Sequence, residues 1–98
     1  RIDLALQLCQ ECAQKSGPAA ELYCLMGIIH MAGQDLKSAE DCFLKAIYLD
    51  PGNYESLVHI SFLYRQKGDQ KKAALYMERA GRQADRQEND NKTLKNVP

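Results

Sequence analysis

Residues 20–53 read AELYCLMGIIHMAGQDLKSAEDCFLKAIYLDPGN, and this stretch decides the fold. Counted from its first glycine, it has small residues at offsets 0, 12 and 19, a large apolar ring at 16 and a proline at 24. These five positions are Gly27, Ala39, Phe43, Ala46 and Pro51. Small residues let two helices approach closely, and a large residue fills the space between them. The spacing therefore predicts two packed helices.

The same spacing recurs at a period of 34 residues. One period further along, the five positions hold Ser61, Ala73, Met77, Ala80 and Asp85. One period back, Ala5, Cys9 and Cys12 take the places of Ala39, Phe43 and Ala46. A fixed period of this length is typical of repeat proteins, in which each repeat buries its apolar face against its neighbours. The fold class predicted from the sequence is therefore all-α.

Turn-forming residues divide the pattern into five helices. Gly-Gln-Asp at 33–35 and Gly-Asp at 68–69 interrupt the periodicity and place an aspartate near a helix start. Asp-Pro-Gly-Asn at 50–53 separates the repeats, because proline cannot continue a helix. These breaks predict helices near residues 2–15, 19–32, 36–49, 53–66 and 70–84.

Small and large residues in this order resemble the tetratricopeptide-repeat (TPR) consensus. The signature positions of the first repeat hold Tyr23, Met26, Gly27, His30, Ala39, Phe43, Ala46 and Pro51. Those of the second hold Leu57, Ile60, Ser61, Tyr64, Ala73, Met77 and Ala80. The sequence departs from the consensus at His30 for the usual Tyr, at Ser61 for Gly and at Asp85 for the closing Pro. The last departure leaves the final helix without its usual stop.

The resemblance implies a TPR helix-turn-helix solenoid over residues 1–86. It would comprise the second helix of a partial repeat at 2–15, a repeat at 20–53 and a repeat at 54–86. Residues 87–98 are polar, and we expect them to form a disordered tail after a frayed helix end. The chain does not begin with Met, and we expect it to be a piece of a longer protein.

Charge is unevenly distributed along the chain although the net charge is zero. Residues 1–64 carry four basic and eight acidic side chains, and residues 65–98 carry nine basic and five acidic ones. We interpret this as solvated helix surface, with docking of the two ends against a partner or a second copy as the alternative. The basic half has few aromatics and interspersed acids, so no nucleic-acid partner is expected. No apolar run spans a bilayer and no signal peptide is evident, so we expect no membrane insertion and a cytoplasmic location.

We expect no catalytic residue, no cofactor and no metal in this chain, which is not itself predicted to be an enzyme. Cys9-x-x-Cys12 has the spacing of half a zinc site, but no second pair of ligands follows. Both cysteines occupy packing positions of the repeat, where a buried thiol behaves as a small hydrophobe. His30 and His59 are single histidines without a nucleophile beside them, as a catalytic arrangement would require.

In TPR proteins the first helix of each repeat lines a concave groove. Carried to the matched positions, the first repeat supplies Glu21, Cys24, Leu25, Ile28, Met31 and Ala32, and the second supplies Glu55, Val58, His59, Phe62, Arg65 and Gln66. The set is mostly apolar with polar edges, which favours a protein or peptide partner laid in the groove as an amphipathic helix. Alternatively, other parts of the protein cover the groove, or a second copy covers it in a homodimer. The resemblance implies no carboxylate clamp, because Cys24, Ile28 and Phe62 replace its Lys, Arg and Asn.

Residues 46–60, AIYLDPGNYESLVHI, followed by Arg-Gln-Lys-Gly-Asp at 65–69, carry a narrower resemblance. They look like the TPR extensions at the carboxyl end of bacterial CheR-type chemotaxis-receptor methyltransferases, some of which act in biofilm pathways. The parent would then be an S-adenosylmethionine-dependent protein-glutamate methyltransferase, and this segment its targeting or regulatory arm, binding a chemoreceptor or signalling partner. The alternatives are a generic bacterial TPR scaffold without an attached enzyme and a TPR homodimerisation element.

Overall fold

Five α-helices follow one another in the computed structural model, which describes residues 1–16 and 19–95. They are α1 (Ile2–Ser16), α2 (Ala20–Ala32), α3 (Leu36–Leu49), α4 (Tyr54–Gln66) and α5 (Gln70–Lys95). No strand occurs within the described ranges. The predicted all-α class is confirmed, and the first four helices begin and end within about a residue of their predicted bounds.

Side-chain caps begin α3, α4 and α5. In each case a side-chain oxygen accepts a hydrogen bond from the backbone N–H three residues further on: Asp35 at 3.2 Å, Asn53 at 2.9 Å and Asp69 at 3.1 Å. Just before two of these caps, Gln34 and Gly68 adopt φ of 65° and 83°. The left-handed turn thus recurs one repeat period apart, and only the second copy has the glycine that suits it.

The helices pack as two pairs, α2 with α3 and α4 with α5, and the pairs meet through contacts of α4 with α3 and α2. α1 packs against α2. Nearly all of the repeat's predicted packing positions are buried in the two complete repeats; they are Gly27, Ala39, Phe43, Ala46, Ser61, Ala73 and Ala80. Met77 is half-buried. The period therefore identified the interior of both helix pairs.

The first helix of each repeat has one position that holds a small residue, and the physical reason for the small residue differs between the two helix pairs. A methyl group added to Gly27 would lie 2.5 Å from Cε1 of Phe43, so only glycine lets α2 approach the ring. At the equivalent position the Ser61 hydroxyl is fully buried and donates a hydrogen bond to the carbonyl oxygen of Ala73 at 2.6 Å. Serine replaces glycine there because α5 supplies an acceptor for its hydroxyl.

A polar network ties α3 to α4. The Tyr64 hydroxyl donates to Oε2 of Glu40 at 2.7 Å, and Nζ of Lys67 donates to Oε1 of the same carboxylate at 2.9 Å. The hydrogen bond from Tyr64, and then that from Lys67, lowers the pKa of Glu40 below its ordinary 4.5. Burial and the neighbouring carboxylate hold the pKa of Tyr64 well above its usual value. The ionised network therefore helps fix the angle between the two repeats.

The predicted end of the last helix is wrong. α5 continues to Lys95, so the expectation of a helix ending near residue 84 and a disordered tail from 87 fails for the described part of that tail. Asp85 stands where the repeat usually closes with proline, and the sequence has no proline or glycine between 82 and 95. Nothing local therefore stops the helix. Residues 96–98 lie outside the described residues.

The prediction for Cys12 is also corrected. Cys9 is buried as expected, but Cys12 is exposed. Its counterpart one period later, Ala46, lies on α3, which has α2 on one side and α4 on the other. Among the described residues α1 contacts only α2. Cys12 therefore lacks the second neighbouring helix that helps to bury Ala46.

Candidate functional site

The predicted binding residues lie on α2 and α4, the first helices of the two repeats, which contact each other. On each helix they recur at intervals of three or four residues, so each set occupies one side of its helix. We call the large apolar members and the histidine the α2/α4 face; they are Leu25, Ile28, Met31, Val58, His59 and Phe62.

The α2/α4 face is apolar both where it meets the core and where it meets solvent. Ile28, Met31 and Val58 are half-buried and pack against the hydrophobic core. Leu25 on α2 and Phe62 on α4 expose 46% and 41% of their surface. Two large side chains are thus accessible to a partner above a layer already fixed by the fold.

Stacked rings connect this face to the interior. The His59 ring lies parallel to that of buried Phe43, with centroids 5.8 Å apart and 8° between the planes. The edge contact of His59 with Phe62 has a centroid distance of 6.5 Å, and the Arg65 guanidinium lies 5.7 Å from the Phe62 centroid. His59 and Arg65 therefore both contact Phe62 and favour this orientation of its ring. His59, which the sequence predicted as a member of the binding set, is thus also a packing element of this face.

Cys24 is not accessible on this face, although the sequence placed it in the binding set. Its side chain is 2% exposed and belongs to the hydrophobic core. Burial raises the pKa of the Cys24 thiol, and the neighbouring Ser56 hydroxyl lowers it by a smaller amount. A buried neutral thiol contributes to packing and cannot contact a partner.

Polar residues surround the α2/α4 face. Glu21 and Glu55 stand one repeat period apart in the first turns of α2 and α4, and both are exposed. The other exposed members of the predicted set are Ala32, Arg65 and Gln66, near the ends of the same helices. An apolar centre with charged edges is the arrangement found in protein-binding surfaces.

Family models described as tetratricopeptide repeat match residues 20–53 and 54–80. The chain belongs to the tetratricopeptide-repeat family. TPR repeats are protein-interaction modules that bind proteins or peptides, and the matches cover both helices that carry the α2/α4 face. A solved structure of the MamA RS-1 ArsTM double mutant agrees with this fold at a TM-score of 0.79 and 24% identity, over 88% of this TPR chain and 48% of that one.

Two curated relatives share the name "Probable biofilm formation methyltransferase WspC". The TPR chain is 33% identical over 75 residues to the one from Pseudomonas aeruginosa (strain PAO1) and 34% identical over 74 residues to the one from Pseudomonas putida (strain KT2440). Each match covers 76% of this chain and 18% of the relative. The TPR chain thus spans about a fifth of the length of the curated relatives that it matches.

Other exposed apolar side chains lie away from this face, and the repeat pattern did not single them out. On α3, Tyr48 is 81% exposed and Leu44 is 37% exposed. On α1, Leu4 and Leu8 are 59% and 54% exposed. In the sequence, Leu44 and Tyr48 fall between the packing positions of the repeat, and this spacing could have predicted their exposure.

The described residues contain no group of three or more His, Cys, Asp or Glu side chains that could hold a metal ion. The four cysteines are free thiols. His30 is half-buried, with Nδ1 3.9 Å from Oδ2 of Asp35 beyond the end of its helix. In the part of the chain that the structure describes, no helix combines the length and apolarity needed to cross a membrane.

Proposed function

We propose that the α2/α4 face binds an amphipathic helix of a protein partner. The observation that carries the proposal is the exposure of Leu25 and Phe62, on neighbouring helices, above the half-buried layer of Ile28, Met31 and Val58. Full burial of a large apolar side chain contributes about 1.5–3 kcal/mol, so covering the exposed parts of these two supplies a useful share of a binding free energy. Met31 adds a side chain that adapts its shape to a partner.

The polar edge gives such a helix an orientation. Glu21 and Glu55 lie at one end of α2 and α4, and Arg65 lies at the other end of α4. A partner helix with basic residues at one end and an acidic residue at the other would complement both edges. Rim charges of this kind contribute to orientation and association rate more than to affinity.

We infer further that the chain is the targeting or regulatory arm of a bacterial chemoreceptor glutamate methyltransferase. The similarity to the two biofilm-formation methyltransferases supports this inference, and the catalytic part would lie outside the matched fifth. By holding the enzyme on a chemoreceptor or signalling partner, the arm would raise the effective concentration of the methylated side chains. Binding of the methyl donor is assigned to no residue of this chain.

The test is an affinity capture from a lysate of Pseudomonas aeruginosa, which carries one of the relatives. The baits are the native chain, Ile28→Asp/Phe62→Asp, and the matched control Leu44→Asp/Tyr48→Asp, which adds the same charges to exposed apolar positions on α3. Burying an unpaired aspartate against an apolar partner is costly. We therefore expect chemosensory receptors or their signalling proteins on the native and control baits, and their loss from the α2/α4 variant.

Two further measurements make this capture interpretable. Circular dichroism must show that both double variants keep the helix content of the native chain. Equal recovery of the same proteins on all three baits would show that the α2/α4 face does not bind them. If light scattering instead shows a dimer that Ile28→Asp/Phe62→Asp dissociates, the face is covered by a second copy, and the homodimer becomes the better account.

A further inference from the structure

A pocket of about 280 Å³ lies between the turn that joins the two repeats and the middle of α5. Pro51 and Gly52 of the turn, with Leu57 of α4, form one wall. The opposite wall consists of Arg79, Arg82, Gln83 and Arg86. The pocket shares no residue with the α2/α4 face, so an occupant of one does not exclude an occupant of the other.

The α5 wall is a row of guanidinium groups. Arg79, Arg82 and Arg86 follow one another at intervals of three and four residues, which places them on one side of the helix. At 1.5 Å per residue the row extends about 10 Å along α5. None of the described lining residues is acidic. The nearby Asp50 carboxylate accepts a hydrogen bond from the Gly52 N–H at 3.2 Å and stabilises the turn.

Packing holds this pocket in shape. The Arg79 guanidinium lies over the ring of Tyr76, 5.3 Å from its centroid, which restricts its motion. On the turn, a methyl group added to Gly52 would lie 3.1 Å from Oε1 of Gln83, so glycine allows the backbone to rest against this side chain. These contacts position Arg79 on α5 and place the turn directly against Gln83.

The ion pair that now engages the row is easily exchanged. Nη1 of Arg82 contacts Oε1 of Glu78 at 3.0 Å, but the two side chains are 55% and 70% exposed. Pairs this exposed contribute little to stability. A carboxylate from a partner would replace Glu78 at small cost, and Arg79 and Arg86 would gain an anionic acceptor, which no side chain lining the pocket provides.

We propose that this arginine pocket binds an acidic segment of a protein partner through carboxylates spaced along the row. Guanidinium groups bind carboxylates in pairs of parallel hydrogen bonds, which makes arginine suited to this recognition. The length of the row favours two or more carboxylates on one chain over a single small anion. Binding at this pocket would also use part of the net positive charge of residues 65–98.

The experiment is an NMR titration of the ¹⁵N-labelled chain with an acetylated, amidated hexaglutamate peptide at about 0.15 M salt, where long-range attraction is screened. We expect shifts of the Gly52 amide and the Nε–H groups of the three arginines, and none with hexaglutamine. Arg86→Gln should weaken binding about fivefold or more, because it removes charge-assisted hydrogen bonds. Lys71→Gln removes the same charge from an exposed position elsewhere on α5 and should change binding less than about twofold.

Four results would overturn the proposal. Equal weakening by Arg86→Gln and Lys71→Gln would mean general attraction to the basic half of the chain. Inorganic phosphate moving the same resonances as strongly, at the same concentration, would make the pocket a single-anion site. Concentration-dependent shifts without peptide would assign the pocket to a second copy. Unchanged Gly52 and arginine resonances at millimolar peptide would leave the pocket with no role in acidic recognition.

Discussion

Two glycines inside helices have opposite surroundings, and they test the packing at the scale of single atoms. A β-carbon at Gly27 would come within 2.5–2.8 Å of three atoms of the Phe43 ring, which is fully buried. A β-carbon at Gly81 on α5 would meet no atom within 4 Å, and the residue is exposed. The same substitution should therefore have opposite signs at the two sites.

We expect Gly27→Ala to lower the free energy of unfolding by about 1–3 kcal/mol, because the ring must move within a packed core. Gly81→Ala should raise it by roughly 0.5–1 kcal/mol, because alanine loses less backbone entropy in a helix. Urea titrations followed by circular dichroism measure both changes. Equal stability of native chain and Gly27→Ala would show that α2 and α3 are not in this close contact.

The carboxylate of Glu40 links stability to pH. Its pKa is lowered in the folded chain by the hydrogen bonds from Tyr64 and Lys67, so folding favours the ionised form. A group whose pKa is lowered by folding stabilises the folded state fully at pH values above its unfolded pKa, which is near 4.5 for Glu40. This stabilisation is lost as the pH falls through the pKa of the folded state. The side chain is 13% exposed, so solvent screens the network only partly.

Glu40→Gln should therefore lower the free energy of unfolding by about 1–2 kcal/mol at neutral pH, since it weakens two charge-assisted hydrogen bonds. The difference from the native chain should shrink as the pH falls from the unfolded value near 4.5 through the lowered pKa of the folded carboxylate. Urea midpoints of both proteins, measured across this pH range, give the comparison. A difference that stays constant with pH would contradict the linkage.

At the scale of helices, most of the architecture follows from the sequence, because each boundary has a local chemical cause. Asp35 and Asp69 cap the helices that follow them, and the turn at 50–53 ends α3, as their residue types indicate. The exposure of Cys12 and the burial of Cys24 could not be obtained in this way. Exposure depends on which helices lie beside a residue, and a repeat position does not contain that information.

The length of α5 is the main difference at this scale, and it leads to a prediction about Asp85. Proline there removes a backbone hydrogen bond and clashes with the preceding turn. We expect Asp85→Pro to abolish helix beyond about residue 85 with little change in the urea midpoint, because residues 85–92 are exposed. Amide chemical shifts report the helix residue by residue, and Asp85→Ala, which should retain it, is the control. Loss of the α4–α5 core on Asp85→Pro would show that the extension supports the repeats.

At the scale of the whole molecule, α5 governs the shape. Its 26 residues extend about 39 Å at 1.5 Å per residue, against principal extents of 49 × 36 × 20 Å for the chain. The radius of gyration, 15.2 Å, exceeds the roughly 13 Å of a compact domain of this length. Separate α2/α4 and arginine surfaces on this elongated body suit an interaction arm that contacts a partner at more than one place.

The binding set illustrates what sequence alone can and cannot assign at this scale. The repeat register placed Leu25, Ile28 and Phe62 on the helices that open each repeat, and these side chains are accessible or half-buried there. From the sequence, the basic excess of residues 65–98 indicates solvated helix surface or a docking end, and it does not single out the row of arginines. Only the fold shows that the turn at Pro51 and Gly52 closes over it to make a pocket.

Binding at the α2/α4 face is tested by placing a photo-crosslinking residue, p-benzoylphenylalanine, at Phe62 on this face or at Tyr48 on α3. Both side chains are aromatic and exposed, so the substitutions are matched in chemistry. After irradiation in a Pseudomonas aeruginosa lysate, adducts are identified by mass spectrometry. We expect the partner to be crosslinked from position 62 and not from position 48. A partner crosslinked from position 48 but not from 62 would contradict this expectation.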